Sequence, residues 1–311
     1  MPFKTVLSVT GADHSDQDVR LVANLCAEIG AHLSVLIMSP PPLLMWPRPL
    51  CDCIPAWPEQ RALDRLEKRS WQIGRLSQDM DRLEKQSWQI ERFSNDMARL
   101  QKRSREVRTL LRGMRLSYDV DTDYGDQANI GDVVRQRALC ADLTIVGPAF
   151  LNDDDLGRRV IDGSLFETGK PVLLVAPKGA EATLRPRRVL VGWNSRVQAS
   201  RAVREALDLL SGAEEVRLAV LDPEASCNGN GLEPEAGIVA YLARHGVRVA
   251  IDRLPSAGQP VATVLAQHAV DTSADMIVMG AYGRRRVRDR IFGGVTRWIV
   301  KKPPLPLFLA L

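Results

Sequence analysis

The chain has few of the features that mark secreted, membrane-spanning or disulfide-bonded proteins. It contains five cysteines in 311 residues, an odd number and widely scattered, which argues against a disulfide framework. No stretch approaches 18 uninterrupted apolar residues, so we expect no transmembrane helix. Residues 1–9 contain a short apolar run without the long apolar region and cleavage site of a secretory signal. Together these absences predict a cytoplasmic protein.

The chain also lacks a strong excess of charge of either sign. It has 42 Lys and Arg residues against 38 Asp and Glu residues, a formal net charge of +4. A charge this small over 311 residues predicts binding neither to nucleic acid nor to a membrane. With 45% hydrophobic and 26% charged residues, the composition is typical of a soluble globular protein. The length favours two domains of about 150 residues each.

Signs of catalysis and of metal binding are few. The four histidines do not have the spacing of metal ligands, and no Ser/His/Asp or Cys/His set has supporting context. Cys51 and Cys53 form a C-x-C pair in a proline-rich loop, without a matching Cys or His pair. Asp153–Asp155 is either a metal cluster or a solvated acidic loop. We therefore predict no metal site and no catalytic residue.

What the sequence does contain is a repeated strand. Ala141–Gly147 reads ADLTIVG, and Ala274–Gly280 reads ADMIVMG. Each is a nearly continuous apolar run between Asp and Gly, which is typical of a parallel strand buried on both faces. Helix-length segments alternate with such strands in both halves of the chain. This pattern predicts an α/β fold with two doubly wound, Rossmann-like domains, residues 1–178 and residues 187–311.

A 17-residue repeat interrupts the first predicted domain at about residues 59–114. Asp64–Met80 and Asp81–Met97 are closely similar copies, and Ala98–Met114 is a weaker third copy. The stretch predicts one long helix or a helical hairpin, because residues 59–112 contain no proline and one glycine. Its apolar positions, mostly three or four residues apart, are Ile73, Leu76, Met80, Leu83, Ile90, Phe93, Met97, Leu100, Val107, Leu111 and Met114.

This helical insert has two interpretations. Seventeen residues divide as seven, seven and three, so a coiled-coil heptad is interrupted once in each copy. On the first interpretation, the insert is a coiled-coil arm that forms a homodimer or captures a protein partner. On the second, it is an ordinary domain helix lengthened by tandem duplication, with a solvated charged face.

The candidate binding segment follows the last long strand of the second half. There Gly280 and Gly283 are followed after nine residues by Gly293, Gly294, Val295 and Thr296. Glycines at the end of a buried strand let backbone N–H groups approach an anion, and a helix N-terminus adds partial positive charge. The intervening arginines either neutralise a phosphate chain or form a solvated surface. They are Arg284, Arg285, Arg286, Arg288 and Arg290.

The G-x2-G-x9-G spacing of Gly280, Gly283 and Gly293, with the strand and polar end at residues 189–195, resembles the nucleotide-binding members of the universal stress protein family. The resemblance implies an adenine nucleotide alpha hydrolase-like fold with strand order 3-2-1-4-5 in each domain, and pairing of the two domains through their last strands. It also implies that ATP, with Mg²⁺, lies between the ends of the first and fourth strands of the second domain. The implied contacts are Gly192, Trp193, Asn194, Ser195, Val220, Gly280, Gly283, Arg284, Gly293, Gly294, Val295 and Thr296.

The second half departs from the family pattern at two positions. Asn194 stands in place of the usual Asp, which removes a charge but keeps hydrogen-bonding capacity. Gly294 stands in place of Ser or Thr, so the hydroxyl of Thr296 is the expected substitute.

The first half departs much further. No second glycine follows Gly147 at the required spacing, and Asp153–Asp155 would repel phosphate. Gly163 and Ser164 preserve a fragment of the motif, while Asp13 is a poor positional match for Asn194. We therefore predict a degenerate site without a cofactor in the first domain.

The sequence favours a nucleotide-binding stress-response protein, regulatory or chaperone-like, with ATP in the second domain. One alternative is a nucleotide-independent scaffold that interacts through the helical insert. Another is a slow ATPase.

Overall fold

A computed structural model describes residues 3–39, 90–124, 129–151, 154–175, 182–222, 235–281 and 303–311. These residues form one ten-stranded sheet with helices on both of its faces. The strands are β1 Thr5–Gly11, β2 His32–Met38, β3 Tyr118–Asp123, β4 Leu143–Val146, β5 Val172–Leu174, β6 Arg188–Trp193, β7 Glu215–Leu221, β8 Val249–Leu254, β9 Met276–Gly280 and β10 Leu307–Ala310.

The helices connect successive strands and cover the sheet. None of those in the described ranges is long and apolar enough to cross a membrane. They are α1 Asp16–Ile29, α2 (described over 90–112), α3 Ile130–Ala138, α4 Pro148–Leu151, α5 Asp154–Ile161 with a π-helical turn Asp162–Phe166, α6 Val197–Glu205, α7 Leu207–Gly212, α8 Ala236–Arg244 and α9 Val261–Asp271.

The sheet consists of two similar halves. Its strand order is β3-β2-β1-β4-β5-β10-β9-β6-β7-β8, so each half has the order 3-2-1-4-5. All neighbours within a half are parallel, and the halves join where β5 pairs antiparallel with β10. The predicted fold class and strand order are confirmed.

The two faces of the sheet carry separate apolar layers. Val6 of β1 lies in a layer with α1, α2, α6 and α8, whereas the next residue, Leu7, lies in a layer with α3, α5 and α9. Every residue of β4 and β9 is buried, because helices cover both faces of these central strands. The repeated apolar segment of the sequence therefore corresponds to the fourth strand of each half.

The aspartate that opens this repeated segment has a structural role. The Asp142 carboxylate accepts hydrogen bonds from the backbone N–H groups of Lys4 and Thr5, at 2.8 and 3.0 Å. The Asp275 carboxylate accepts the same pair of bonds from Arg187 and Arg188, both at 2.9 Å. In each half, this carboxylate ties the start of the fourth strand to the start of the first.

The segment between the two predicted domains packs on the first half near its end. The Glu28 carboxylate of α1 accepts hydrogen bonds from the Thr183 hydroxyl at 2.6 Å and from the Leu184 backbone N–H at 3.1 Å. The Leu184 side chain is buried in the same apolar layer as α1. The segment that enters β6 is therefore anchored by side-chain contacts.

Helix α2 corresponds to the last part of the 17-residue repeats. Leu100, Val107 and Leu111 of the predicted apolar series are fully buried against the first half, whereas Ile90 is 69% exposed and Phe93 is 50% exposed. From residue 97 onward, the series therefore packs on its own domain, as the domain-helix interpretation requires. Residues 59–89, which contain most of the first two copies, lie outside the described residues.

Candidate functional site

The carboxyl ends of β6, β7 and β9 meet at one edge of the second half. Gly192 of β6 pairs with Met279 of β9, and Trp193 pairs with Val220 of β7. Gly280 ends β9 beside this point, and the chain turns into α6 directly after β6. The structure thus brings together the predicted site residues that it describes. They are Gly192, Trp193, Asn194, Ser195, Val220 and Gly280.

The remaining predicted contacts belong to the segment after β9. They fall outside the described residues, so their positions relative to the edge stay a prediction. They are Gly283, Arg284, Gly293, Gly294, Val295 and Thr296.

The turn after β6 presents polar groups to solvent. The Asn194 side-chain oxygen accepts a hydrogen bond from the Arg196 backbone N–H at 3.2 Å, which closes a short turn. Ser195 has a left-handed backbone with a φ of 55°. Both side chains are exposed. Asn194 therefore supplies the acceptor that an Asp would supply in this turn, and it adds the N–H donors of its amide.

Trp193 and Val220 form the apolar floor beneath this turn. They are 8% and 3% exposed and belong to the layer that α6 and α8 cover. The indole Nε1 of Trp193 is buried without a hydrogen-bond partner in the described part of the chain. A buried N–H without a partner costs free energy.

The glycine that ends β9 is required by helix packing. A Cβ atom at Gly280 would lie 2.5 Å from the backbone carbonyl carbon of Gln198 and 2.7 Å from the backbone nitrogen of Ala199. Any larger residue would push α6 away from the sheet. Gly280 thus has a structural function whether or not a nucleotide is bound.

The first half fills the corresponding edge with its own side chains. The Asp18 carboxylate of α1 accepts hydrogen bonds from the backbone N–H groups of Ala149, at 3.0 Å, and Phe150, at 3.3 Å. Asp18 is 4% exposed, and burial raises its pKa although both amides and nearby His14 oppose the shift. Sequence reasoning missed this contact, because an Asp in the first turn of a helix is common.

Helix α2 covers the loop after β1 in the same half. The Arg103 guanidinium, 7% exposed, forms an ion pair with Asp16 and donates to the Ser15 carbonyl at 3.1 Å. Arg99 forms an ion pair with Asp13. Asp13, which matched Asn194 poorly, is thus engaged by an arginine of the helical insert.

The predicted remnant of the glycine motif in the first half has another function. Gly163 and Ser164 lie in the π-helical turn after α5, not at a helix N-terminus. A Cβ atom at Gly163 would lie 2.5 Å from the carbonyl oxygen of Gly131, at the start of α3. The Ser164 hydroxyl donates to the Val160 carbonyl at 2.6 Å. In the structure these two residues serve helix packing.

Two histidine–carboxylate contacts tie the edge strands of the sheet. The His268 Nε2 atom lies 2.7 Å from Asp252 of β8, and Asp252 also accepts both hydrogen bonds of Arg217 Nη1 on β7. His32 lies 2.7 Å from the Ser117 hydroxyl and 3.4 Å from Asp119 of β3. This second set is at the amino ends of β2 and β3, away from the carboxyl edge of the first half.

Within the described ranges, no group of three His, Cys, Asp or Glu side chains is arranged to hold a metal ion. The Asp153–Asp155 side chains lie outside the described residues.

Comparisons with known proteins agree with this architecture. Residues 186–310 match the sequence model of the universal stress protein family. No curated protein sequence matches the chain. A solved universal stress protein from Archaeoglobus fulgidus DSM 4304 is similar over 98% of this chain and 95% of its own, with a TM-score of 0.59 and 14% identity.

Two further solved structures span the whole chain. A putative universal stress protein from Pseudomonas aeruginosa UCBPP-PA14 is similar over 99% of this chain and 93% of its own, with a TM-score of 0.51 and 12% identity. A functionally unknown protein from Pseudomonas aeruginosa PAO1 is similar over 99% and 92%, with a TM-score of 0.50 and 13% identity. At these identities, the likeness shows the fold.

Proposed function

We propose that the second half binds ATP, because residues 186–310 match the sequence model of the universal stress protein family and a solved universal stress protein is similar over 98% of this chain. The nucleotide lies at the carboxyl ends of β6 and β9, and its binding regulates a chaperone-like or signalling role in the stress response. The first half is a structural partner that holds no nucleotide.

The observation that supports this proposal is the meeting of the polar turn after β6 with the end of β9. Ligands of open α/β sheets lie where the connections leave neighbouring strands in opposite directions. Here Asn194 and Ser195 present exposed polar groups, Trp193 and Val220 form an apolar floor, and Gly280 begins the glycine segment. An apolar floor with a few polar groups suits an adenosine.

The phosphates are assigned to the segment beyond Gly280. The family resemblance implies that the backbone amides of Gly283, Gly293 and Gly294 and the Thr296 hydroxyl hold them. Mg²⁺ is expected to accompany the triphosphate. A slow ATPase is the alternative at the same site, and it predicts ADP release by the wild-type protein that exceeds the release by a glycine variant.

Equilibrium dialysis against ATP, AMP and no nucleotide tests the proposal. We expect Gly293→Val to raise the Kd for ATP at least about tenfold, because a side chain prevents close approach of the phosphates. Gly237→Ala in α8 is the matched control, since a Cβ there meets no atom within 4 Å. A wild-type chain that retains no nucleotide in dialysis contradicts the proposal.

A second candidate function is an interaction scaffold. It is favoured by the exposure of Ile90 and Phe93, which continue the apolar series of α2 beyond the part that packs on the domain. Exposed apolar residues at helical spacing suit a second copy of the chain or a protein partner. Deletion of Asp64–Met97 should then abolish concentration-dependent self-association in sedimentation, and identical behaviour of both forms contradicts the scaffold.

We also propose a cytoplasmic location. Cys26 and Cys140 are free thiols, which suits a reducing compartment. Burial raises the pKa of the Cys26 thiol to about 12, so this cysteine is unreactive.

A further inference from the structure

The two halves can be compared residue by residue at the end of the fourth strand. Val6 pairs with Leu143 in the first half, and Val189 pairs with Met276 in the second. Counting from these pairs, Gly147 and Gly280 occupy equivalent positions. Three residues further along the chain, Phe150 is therefore the counterpart of Gly283 by position in the sequence.

In the first half, the backbone N–H groups at this position donate hydrogen bonds to the carboxylate of Asp18. Asp18 Oδ2 lies 3.0 Å from the Ala149 nitrogen and 3.3 Å from the Phe150 nitrogen, and Oδ1 lies 3.4 Å from the Ala149 nitrogen. A Cβ atom at Gly147 would collide with the Asp18 carboxylate. The His14 ring packs edge-on against Phe150, with 5.2 Å between ring centroids, and holds the turn in place.

The second half carries a neutral residue at the same place. Gln198 of α6 is the residue that approaches Gly280 most closely, as Asp18 of α1 approaches Gly147. Gln198 is partly exposed, whereas Asp18 is buried. A neutral side chain there brings no negative charge to the end of β9.

We propose that Asp18 excludes a nucleotide from the first half, because its carboxylate occupies the backbone amides of Ala149 and Phe150 at the end of β4. A carboxylate satisfies two backbone donors as a phosphate oxygen does, and it repels a second anion. The assignment of the phosphate to the second half rests on the proposed function. The occupation of the first-half amides by Asp18 does not.

Amide hydrogen exchange followed by NMR tests the first-half contact in the full chain. We expect Asp18→Asn to speed exchange at Ala149 and Phe150 at least about tenfold, since the carboxylate no longer accepts both bonds. Asp16→Asn is the control, because it neutralises another carboxylate of the same helical turn that contacts Arg103 instead. Exchange rates that stay unchanged in Asp18→Asn overturn the proposal. A shift of the Ala149 and Phe150 amide resonances of the wild-type chain on addition of ATP also overturns it.

Transfer of the carboxylate to the second half tests specificity. We expect Gln198→Asp to raise the Kd for ATP at least about tenfold, because it adds a negative charge near the phosphates. Gln198→Asn is the control, since Asn has the size of Asp but no charge, and it should keep the wild-type Kd. Equal ATP binding by Gln198→Asp and wild type overturns the proposal. If the wild-type chain binds no ATP, the proposed function is overturned. The hydrogen-exchange experiment then still tests whether Asp18 occupies the amides of Ala149 and Phe150.

Discussion

Single glycines at the two strand ends leave room for a neighbouring helix. Gly147 leaves room for the Asp18 carboxylate, and Gly280 leaves room for the backbone of Gln198. A larger residue at either position would disturb the helix that follows the first strand. If substitution of Gly280 weakened nucleotide binding, the cause could be either a lost contact or a displaced helix. Substitution of Gly293 is therefore the better test of nucleotide binding.

Asp162 gives a residue-scale prediction about pH. Burial raises the pKa of its carboxyl from 3.8 to about 6, with repulsion from Glu167 adding to the shift and attraction to Arg158 opposing it. Because the pKa is higher in the folded state, the native chain binds more protons between these values, and the free energy of unfolding falls as pH rises through about 4 to 6. Two pKa units correspond to at most about 3 kcal/mol.

We expect Asp162→Asn to be more stable than wild type at pH 7, with the difference shrinking as pH falls toward 4. Urea unfolding at several pH values measures it. Asp132→Asn is the control, since that side chain is 66% exposed. A difference between Asp162→Asn and wild type that does not vary with pH would show that Asp162 is not the titrating group.

At the scale of elements, α2 shows how a duplicated sequence can have two environments. Leu100 is 1% exposed and lies in the apolar layer of the first half, whereas Phe93, two helical turns earlier, is 50% exposed and touches the ring of Tyr124. The periodicity of the repeats predicted a helix with one apolar stripe. Periodicity alone did not indicate where along that stripe the domain core ends.

This difference predicts unequal effects of two substitutions in α2. Leu100→Ala should lower the free energy of unfolding by about 2–5 kcal/mol, because it leaves a cavity in the core. Phe93→Ala should cost less than about 1 kcal/mol, because the side chain is half exposed. Denaturant unfolding of both variants measures this. Equal losses would mean that the stripe is buried at Phe93 as well.

At the scale of the whole molecule, the continuous sheet makes β10 a central strand. Phe308 and Leu309 of β10 are fully buried, and β10 pairs with β5 of the first half as well as with β9 of the second. The C-terminal segment therefore stabilises both halves, although it follows β9 of the second half in sequence.

Deletion of residues 303–311 should consequently destabilise both halves. Without β10, β5 and β9 each expose an unpaired edge, which favours aggregation. We expect this shortened chain to aggregate during thermal unfolding at a temperature well below that of the full chain, as measured by light scattering. A deletion variant that stays monomeric and unfolds at the wild-type temperature would contradict a shared central strand.

The sequence by itself determined the alternation of buried strands and helices in each half. Buried strands, alternating helices and the repeated ADxxxxG segment depend on local hydrophobic patterns, which one stretch of chain displays without its neighbours. The repeated fourth strand of each half, and the family resemblance through Gly280, Gly283 and Gly293, could therefore be predicted.

Tertiary structure decided what fills the carboxyl edge of the first half. Asp18 meets Ala149 across 131 residues of chain, and Arg103 meets Asp16 across 87, and no local pattern indicates such contacts. The packing role of Gly163 was not indicated by the sequence, because the carbonyl of Gly131 that it approaches lies on another helix. Patterns of hydrophobicity act along the chain, whereas charges and close approaches act through space between elements that the fold brings together.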